Sequence, residues 1–337
     1  MSTKTKAPRN RTLSLTESDR RRLRRQLIRE LPSESYRGLP TAVALGDWRQ
    51  WVSFLPAASV DLLFVDPPYN LTKSFNGLKF SRREVADYTA WFEALLRELL
   101  PCLKPTATVY LCGDWRTSHS LFEVVAEHLI VRNRITWERE KGRGAKGNWK
   151  NASEDIWFCT VSDTYHFDVE NVKLRRRVIA PYTYSDGTPK DWVATATGNL
   201  RDTYPSNLWT DISVPFWSMP ENTDHPTQKS EKLLAKLLLA STREGDYVLD
   251  PFLGSGTTAV VAKKLGRRYF GIEIDEEYCL WALRRLELAE NDKSIQGYAD
   301  RVFWERNTLS QQREFQGPPD RSTRKPREDT EAPTLFQ

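Results

Sequence analysis

The sequence predicts an α/β fold, a parallel β-sheet with helices packed against it, interrupted by one irregular insert. Three observations carry that expectation. Short apolar runs suited to strands alternate with stretches whose apolar residues recur at helical spacing. Two of the strand-like runs end in turn-forming residues beside an acid, at Asp66-Pro67-Pro68-Tyr69 and at Asp250-Pro251-Phe252-Leu253-Gly254-Ser255-Gly256. Between these two, residues 168–222 lose helical periodicity and become rich in Tyr, Trp, Thr, Asn, Pro and basic side chains.

Taken in order, the first fifteen residues are polar and are expected to be disordered. Thr16-Glu17-Ser18-Asp19 is an N-cap signature opening a basic helix that should end near Leu31-Pro32. Residues 60–65 form a strand that the prolines terminate. Over 85–103, Tyr88, Trp91, Phe92, Leu95, Leu96, Leu99 and Leu100 fall on one helical stripe. A strand over 108–112 and a helix over 121–129 follow, then strands over 134–137 and 155–161. After the insert the alternation resumes. The spacing predicts a helix over 230–240, a strand over 247–250 and a glycine turn running into a helix over 254–265. A strand over 269–274 and a helix over 276–289 complete the pattern. Residues 310–337 are polar, charged and proline-containing, and read as a disordered tail.

Composition narrows the classes. The chain has 337 residues, 39% of them hydrophobic and 28% charged, which suits a globular protein with a sizeable core. No apolar run approaches the roughly 18 residues of a membrane span, and the basic start resembles no secretory signal. The four cysteines and four histidines are scattered, suggesting neither a zinc site nor a disulfide framework, so no metal is expected and a reducing cytoplasm is. The net charge of +5 is concentrated in residues 20–29 and in Lys173, Arg175, Arg176 and Arg177. Such clusters suit phosphate contacts, although a solvated helix face is the ordinary reading of either alone.

Val248 to Ala259 reads as a strand, a tight glycine turn and a helix start. Gly254 and Gly256 permit a sharp turn and close approach of a ligand. Glu273, 19 residues beyond Gly254, ends the next strand, where an acid can accept bonds from both ribose hydroxyls of a nucleoside. The turn also satisfies G-x-G-x-x-A, so this piece alone admits a nicotinamide dehydrogenase; a P-loop is excluded because no Lys follows the second glycine. The segment says nucleoside cofactor without saying which.

The turn at Asp66, Pro67, Pro68 and Tyr69 suits methyl transfer to a conjugated amino group. The lone pair of adenine N6 or cytosine N4 is delocalised into the ring. A carboxylate and a backbone carbonyl, held rigidly, can accept both N–H hydrogens and favour a tetrahedral nitrogen. Prolines leave the carbonyls without competing donors nearby, and Tyr69 offers a face on which an extruded base can stack. Cytosine C5 chemistry needs an activated Cys, and Cys102 falls in an apolar helical run where a structural role is expected.

At this point the sequence resembles the beta group of DNA amino-methyltransferases found in restriction–modification systems, over roughly residues 42–290. In that group the catalytic motif precedes the cofactor motif and the target-recognition region lies between. Here Asp66 precedes Asp250 by 184 residues, with 168–222 in the gap. The resemblance implies a Rossmann-like S-adenosylmethionine-dependent methyltransferase sheet with helices on both faces, a circularly permuted motif order and a small inserted recognition region. It implies catalytic roles for Asp66, Pro67, Pro68 and Tyr69, with Asn70 following them. Asp47, after Gly46, matches the acid near the cofactor adenine. His225-Pro226-Thr227-Gln228-Lys229 matches a segment whose Thr227 and Lys229 would lie near the methionine carboxylate. Asp250, Phe252, Gly254, Ser255 and Gly256 match the glycine-rich motif and Glu273 the ribose acid. Residues 151–158, with Glu154, resemble the lining of the target-base pocket.

The implied organisation is a basic arm and helix (1–35), a catalytic half (36–167), a recognition region (168–222), a cofactor half (223–292) and a C-terminal extension ending in the tail (293–337). The implied cofactor is S-adenosyl-L-methionine. The implied partners are double-stranded DNA, a cognate restriction endonuclease and a second copy of the chain; no membrane is implied. In the resembling enzymes the Asp form of the tetrapeptide goes mostly with adenine N6 and a Ser form with cytosine N4. Adenine is therefore the first reading, cytosine N4 the second, and RNA or protein methylation the third. For DNA contacts the sequence offers Lys173, Arg175, Arg176, Arg177 and Arg201 with Trp192 and Trp209, and the basic segment 20–29 as a phosphate clamp.

Overall fold

The structure, a computed structural model, describes residues 7–30, 40–75, 78–139, 146–178, 181–195 and 198–305. In chain order its elements are α1 (Glu17–Leu23), β1 (Ala42–Leu45), α2 (Trp48–Val52), β2 (Val60–Val65), β3 (Lys73–Phe75), β4 (Leu78–Phe80), α3 (Val85–Leu99), β5 (Leu103–Gly113) and α4 (Ser118–His128). Next come β6 (Ile130–Glu138), β7 (Ser153–Thr160), β8 (Leu174–Arg177), β9 (Val193–Thr195), β10 (Gly198–Thr203) and β11 (Leu208–Trp209). The chain continues with α5 (Glu231–Ser241), β12 (Tyr247–Asp250), α6 (Thr257–Lys264), β13 (Arg268–Glu273), α7 (Glu276–Asn291), β14 (Tyr298–Ala299) and β15 (Val302–Trp304).

The central sheet has eight strands in the order β1-β13-β12-β2-β5-β7-β6-β11. Its residues alternate between two cores, as a pleated strand buried on both faces must. On one face Leu62, Phe64, Tyr110 and Val248 meet α5, α6 and α7. On the other Leu63, Val65, Val109 and Leu249 meet α2, α3 and α4. The expected helices on both faces are thus present.

The expectation of a wholly parallel sheet needs one correction. β7 runs antiparallel to both β5 and β6. Among the described residues between β6 and β7 there is no helix, and antiparallel neighbours need none, whereas parallel neighbours require a crossover. The switch point lies between β12 and β2, which pair in parallel at the centre. From β2 the chain crosses through α3 to β5 on one side; from β12 it crosses through α6 to β13 on the other. In such sheets the crevice opens where the crossovers part, outside the strands' carboxyl ends.

The basic helix is shorter than expected. A capping box of Thr16 and Asp19 starts it, but it ends at Leu23 with a 3-10 turn to Gln26. Leu27 is buried and extended, and Ile28 bridges in parallel to Ala44, so sheet pairing wins over helical propensity. Leu31 and Pro32 lie outside the described residues. Part of the expected disordered start is packed: Arg11 N–H donates to the Trp217 carbonyl and Leu13 N–H to Asn222, with Leu15 buried.

Within 168–222, β8, β9 and β10 form a second sheet, which β15 and β14 of the C-terminal extension complete. Residues 208–209 leave it, as β11 pairs with β6 of the central sheet. Residues 306–337, which hold the expected tail, lie outside the described residues. Among the described residues no helix is long and apolar enough to cross a membrane.

Candidate active site

The carboxyl ends of β1, β13, β12 and β2 deliver Asp47, Glu273, Asp250 and Asp66 to the rim of one cavity of about 360 Å³. Asp47, Thr227, Lys229, Phe252, Gly254 and Ser255 line it, as do Pro67, Pro68 and Tyr69. Gly256 stands behind the wall as the N-cap of α6, at φ +87°. A Cβ there would come within 2.5 Å of Ala282 Cβ, so its glycine lets α6 pack against α7. Gly254, at φ +55°, would set a Cβ 3.1 Å from the His225 ring.

Hydrogen bonds fix the acids of this half. Glu273 Oε2 accepts from Gly254 N–H at 2.8 Å and Oε1 from Asp275 N–H at 2.9 Å, tying the end of β13 to the glycine turn. Burial pushes the Glu273 carboxyl up to about 6 against these bonds. Asp250 accepts from Phe252 N–H at 2.9 Å, and burial pushes its carboxyl up to about 7. Asp47 caps α2 through Arg49 N–H at 3.0 Å and pairs with the Arg49 guanidinium, whose hydrogen bond is the main cause of a lowered carboxyl pKa.

At the other rim, Asp66 Oδ1 accepts from the Tyr69 hydroxyl at 3.0 Å. Burial, with Asp66 nearby, pushes the Tyr69 phenol well above its ordinary range, so it stays a donor. The turn is braced from α3 and the segment before it. Tyr88 hydroxyl donates to the Pro68 carbonyl at 3.1 Å, and Asn70 exchanges two bonds with the Arg83 backbone. Among the described residues none donates to the Pro67 carbonyl.

Lys229 lines the cavity beside the cofactor turn and reaches the Asp66 side. Its Nζ donates to Asp66 Oδ2 at 2.6 Å and lies 3.4 Å from Glu154 Oε2. Burial alone would lower its pKa; the Asp66 and Glu154 carboxylates outweigh burial and raise it, so Lys229 is an ammonium. Glu154 is 2% exposed and pairs with Arg139, behind the cavity wall and not among its lining residues.

The basic residues expected at DNA lie together on two paired strands of the second sheet: Arg175, Arg176 and Arg177 on β8, just after Lys173, with Arg201 of β10 opposite Arg176. Lys173 pairs with Glu170, Arg175 makes a two-pronged pair with Asp202, Arg176 pairs with Glu305 and Arg201 with Asp191. Arg176 and Arg177 are exposed. Trp209 is a correction: it is buried in the core, its Nε1 donating to Ser206, with Lys236 over its ring, and it is withdrawn from any DNA contact. Trp192 is half-buried, its Nε1 donating to Tyr182. Most arginines of the segment offered as a phosphate clamp have partners inside the protein, while Arg21 and Arg25 are exposed. Arg20, Arg22, Arg24 and Arg29 pair with Glu277, Glu287 and Glu276 of α7, fastening the arm to the protein itself.

Sequence reasoning missed Arg139, Tyr88 and Tyr278. Tyr278 lines the cavity and meets the His225 ring edge-on at 4.4 Å. Each acts through a long-range contact carried by no local motif. Cys102 is buried, with burial pushing its thiol up, as its apolar surroundings in the sequence implied.

Residues 60–284 match a family described as DNA methylase. The chain is 33% identical over 254 residues to the DNA adenine methyltransferase YhdJ of Escherichia coli (strain K12), covering 73% of this chain and 82% of that protein. It is 30% identical over 236 residues to the type II methyltransferase M.HpaI of Haemophilus parainfluenzae, covering 68% of each. Among solved structures, the PvuII DNA methyltransferase (cytosine-N4-specific) shares the fold, with a TM-score of 0.54 and 17% identity over 74% of this chain and 90% of that one.

Proposed function

The chain belongs to the N6/N4 DNA methylase family, and from that premise we propose a site-specific methyltransferase that moves a methyl group from S-adenosylmethionine to adenine N6 in double-stranded DNA. One observation carries the reading: the Asp66-Pro67-Pro68-Tyr69 turn and the turn of Gly254 with Glu273 border the same cavity, at the sheet's switch point. The adenine assignment rests on the Asp form of the tetrapeptide and on the adenine specificity of the YhdJ relative.

The residues present fit the methyl donor. The cavity volume falls in the range of roughly 300–1,000 Å³ usual for small-molecule sites. Missing side chains at Gly46 and Gly254 leave room that a Cβ would fill, against Trp51 and His225. Glu273 would hold the ribose hydroxyls, Asp47 would lie toward the adenine, Phe252 would supply an apolar wall, and Thr227 with the Gly254–Gly256 turn would hold the amino-acid end. When bound, S-adenosylmethionine supplies an electrophilic methyl group on a sulfonium and leaves as a neutral thioether, keeping the bonding electron pair.

The chain's own work is on the amino group. The Asp66 carboxylate accepts one N–H and the Pro67 carbonyl the other, which draws the nitrogen toward tetrahedral geometry and frees its lone pair from the ring. Tyr88, holding the Pro68 carbonyl, keeps the turn from collapsing onto that acceptor. Tyr69 offers one ring face to the base while the Lys229 ammonium lies 5.6 Å from the ring centroid. Once nitrogen has formed its bond to carbon it carries one proton too many. Asp66 accepts that proton and passes it to water.

The same reading makes Lys173, Arg176, Arg177 and Arg201 phosphate contacts of the 168–222 recognition region, between a catalytic half at 36–167 and a cofactor half at 223–292. It adds a cognate endonuclease and a homodimer as partners, and the cytoplasm as the compartment. The test is incubation with radiolabelled S-adenosylmethionine and DNA, RNA or protein in separate reactions. Label on DNA alone is expected; label on RNA or protein but not DNA sinks the reading.

A further inference from the structure

Lys229 immediately precedes Ser230, the N-cap of α5, and its carbonyl accepts from the Thr257 hydroxyl at 3.1 Å. Its backbone is thereby tied to the start of α6. Its side chain, only 7% exposed, reaches Asp66 at 2.6 Å. Behind it stands Glu154, and behind Glu154 stands Arg139, which makes a row of alternating charges: Asp66, Lys229, Glu154, Arg139. Glu154 Oε2 is buried and has no hydrogen-bond donor, so it acts on Lys229 as a charge at 3.4 Å.

Burying such a row costs desolvation that its internal attraction does little more than offset, so stability is a poor reason for it. Orientation is a better one. With Tyr69 hydroxyl on Oδ1 and Lys229 on Oδ2, both Asp66 oxygens are pinned and the carboxyl plane has no freedom to rotate. Each oxygen keeps a second lone pair for an incoming N–H. We propose that Lys229, backed by Glu154 and Arg139, is a positioning residue that fixes the Asp66 carboxylate for the target amino group, and that it does not serve the methyl donor's carboxylate. The inference rests on Asp66 being the amino-group acceptor.

The test compares wild type, Lys229→Ala and Glu154→Gln as full-length proteins. S-adenosylmethionine affinity is measured by calorimetry and methyl transfer to DNA by single-turnover labelling. Lys229→Ala should bind the donor within about threefold of wild type yet transfer about 100-fold more slowly, the scale of a reacting group misplaced by about 1 Å. Added ethylammonium should restore transfer, and propanol of similar size should not, because the cavity needs a cation. A loss of donor affinity of about tenfold or more, or rescue by both additives or by neither, overturns the proposal. Should Lys229→Ala fail to fold, Glu154→Gln keeps the volume and decides alone: slower transfer at unchanged donor affinity supports the positioning role, and unchanged transfer overturns it. Wild type that labels no DNA overturns the methyltransferase reading instead, so the two failures are distinct.

Discussion

Replacing Gly256 with alanine should damage both stability and donor binding. Its φ of +87° is left-handed, which costs a residue with a Cβ about 1–2 kcal/mol. The added Cβ would also lie 2.5 Å from Ala282 Cβ and 2.7 Å from Ala282 Cα, whereas carbon atoms in contact sit at about 3.5–4.0 Å. The obstacle includes backbone of α7, which cannot swing aside, so α6 must shift by about 1 Å at an overpacking cost of about 1–3 kcal/mol. Together Gly256→Ala should lose about 2–5 kcal/mol, against a total stability of about 5–15 kcal/mol for typical proteins. Gly245→Ala is the control: its φ is +84° and nothing lies within 4 Å of its Cβ position, so only the conformational cost of about 1–2 kcal/mol applies. Urea unfolding measures the losses, and calorimetry with S-adenosylmethionine measures binding. Only Gly256→Ala should weaken binding, because moving α6 displaces Ser255 and Gly254. Equal losses from both substitutions would refute the close approach of α6 and α7.

Three further outcomes follow from the site. Glu273, pushed up to about 6, is ionised at pH 7.5 and largely protonated at pH 5. Donor affinity should therefore fall as pH drops below about 6. Glu273→Gln should bind weakly at every pH, and an affinity indifferent to pH in wild type would remove Glu273 from the ligand set. Asp250, raised from 3.8 to about 7, takes up a proton on folding, so its contribution to stability is full below pH 3.8 and lost as pH rises through about 7. Asp250→Asn should flatten the fall in urea stability between pH 5 and 8; an unaltered slope would count against a buried Asp250. At the DNA face, Arg177→Ala should weaken binding and reduce the salt slope by about 1, while joint replacement of Arg20, Arg22 and Arg24 should leave DNA affinity within about twofold. A large loss from that triple variant would restore the arm as a phosphate clamp.

The element types of the central sheet were legible because each strand and helix declares itself locally: β2 as an apolar run broken only by Asp61, β12 as Tyr247-Val248-Leu249, and α3 through its stripe from Tyr88 to Leu99. The reversal of β7 was not legible, since strand direction is set by which neighbours β7 pairs with and not by any residue of β7. The basic helix was overread because Leu27 and Ile28 fit a helical stripe as well as a sheet edge, and only their contact with Ala44 decides. The site's motif residues were visible as strand-end turns, where backbone demands restrict the choice of residue. The contacts of Lys229 with Asp66 and Glu154 were not visible, since both partners come from other strands of the sheet. Charge clusters were the least legible: the acids of α7 that pair with Arg20, Arg22, Arg24 and Arg29 come more than 240 residues later in the chain.

Amino-group methylation of DNA through Asp66 is tested most directly by expressing wild type and Asp66→Ala in a host whose DNA carries no methylation and sequencing that DNA for modified bases. Wild type should write N6-methyladenine at one short recurring sequence. Asp66→Ala should still bind S-adenosylmethionine and leave the DNA unmodified. Unmodified DNA from wild type, 5-methylcytosine in place of an amino-methylated base, or full methylation by Asp66→Ala would contradict it.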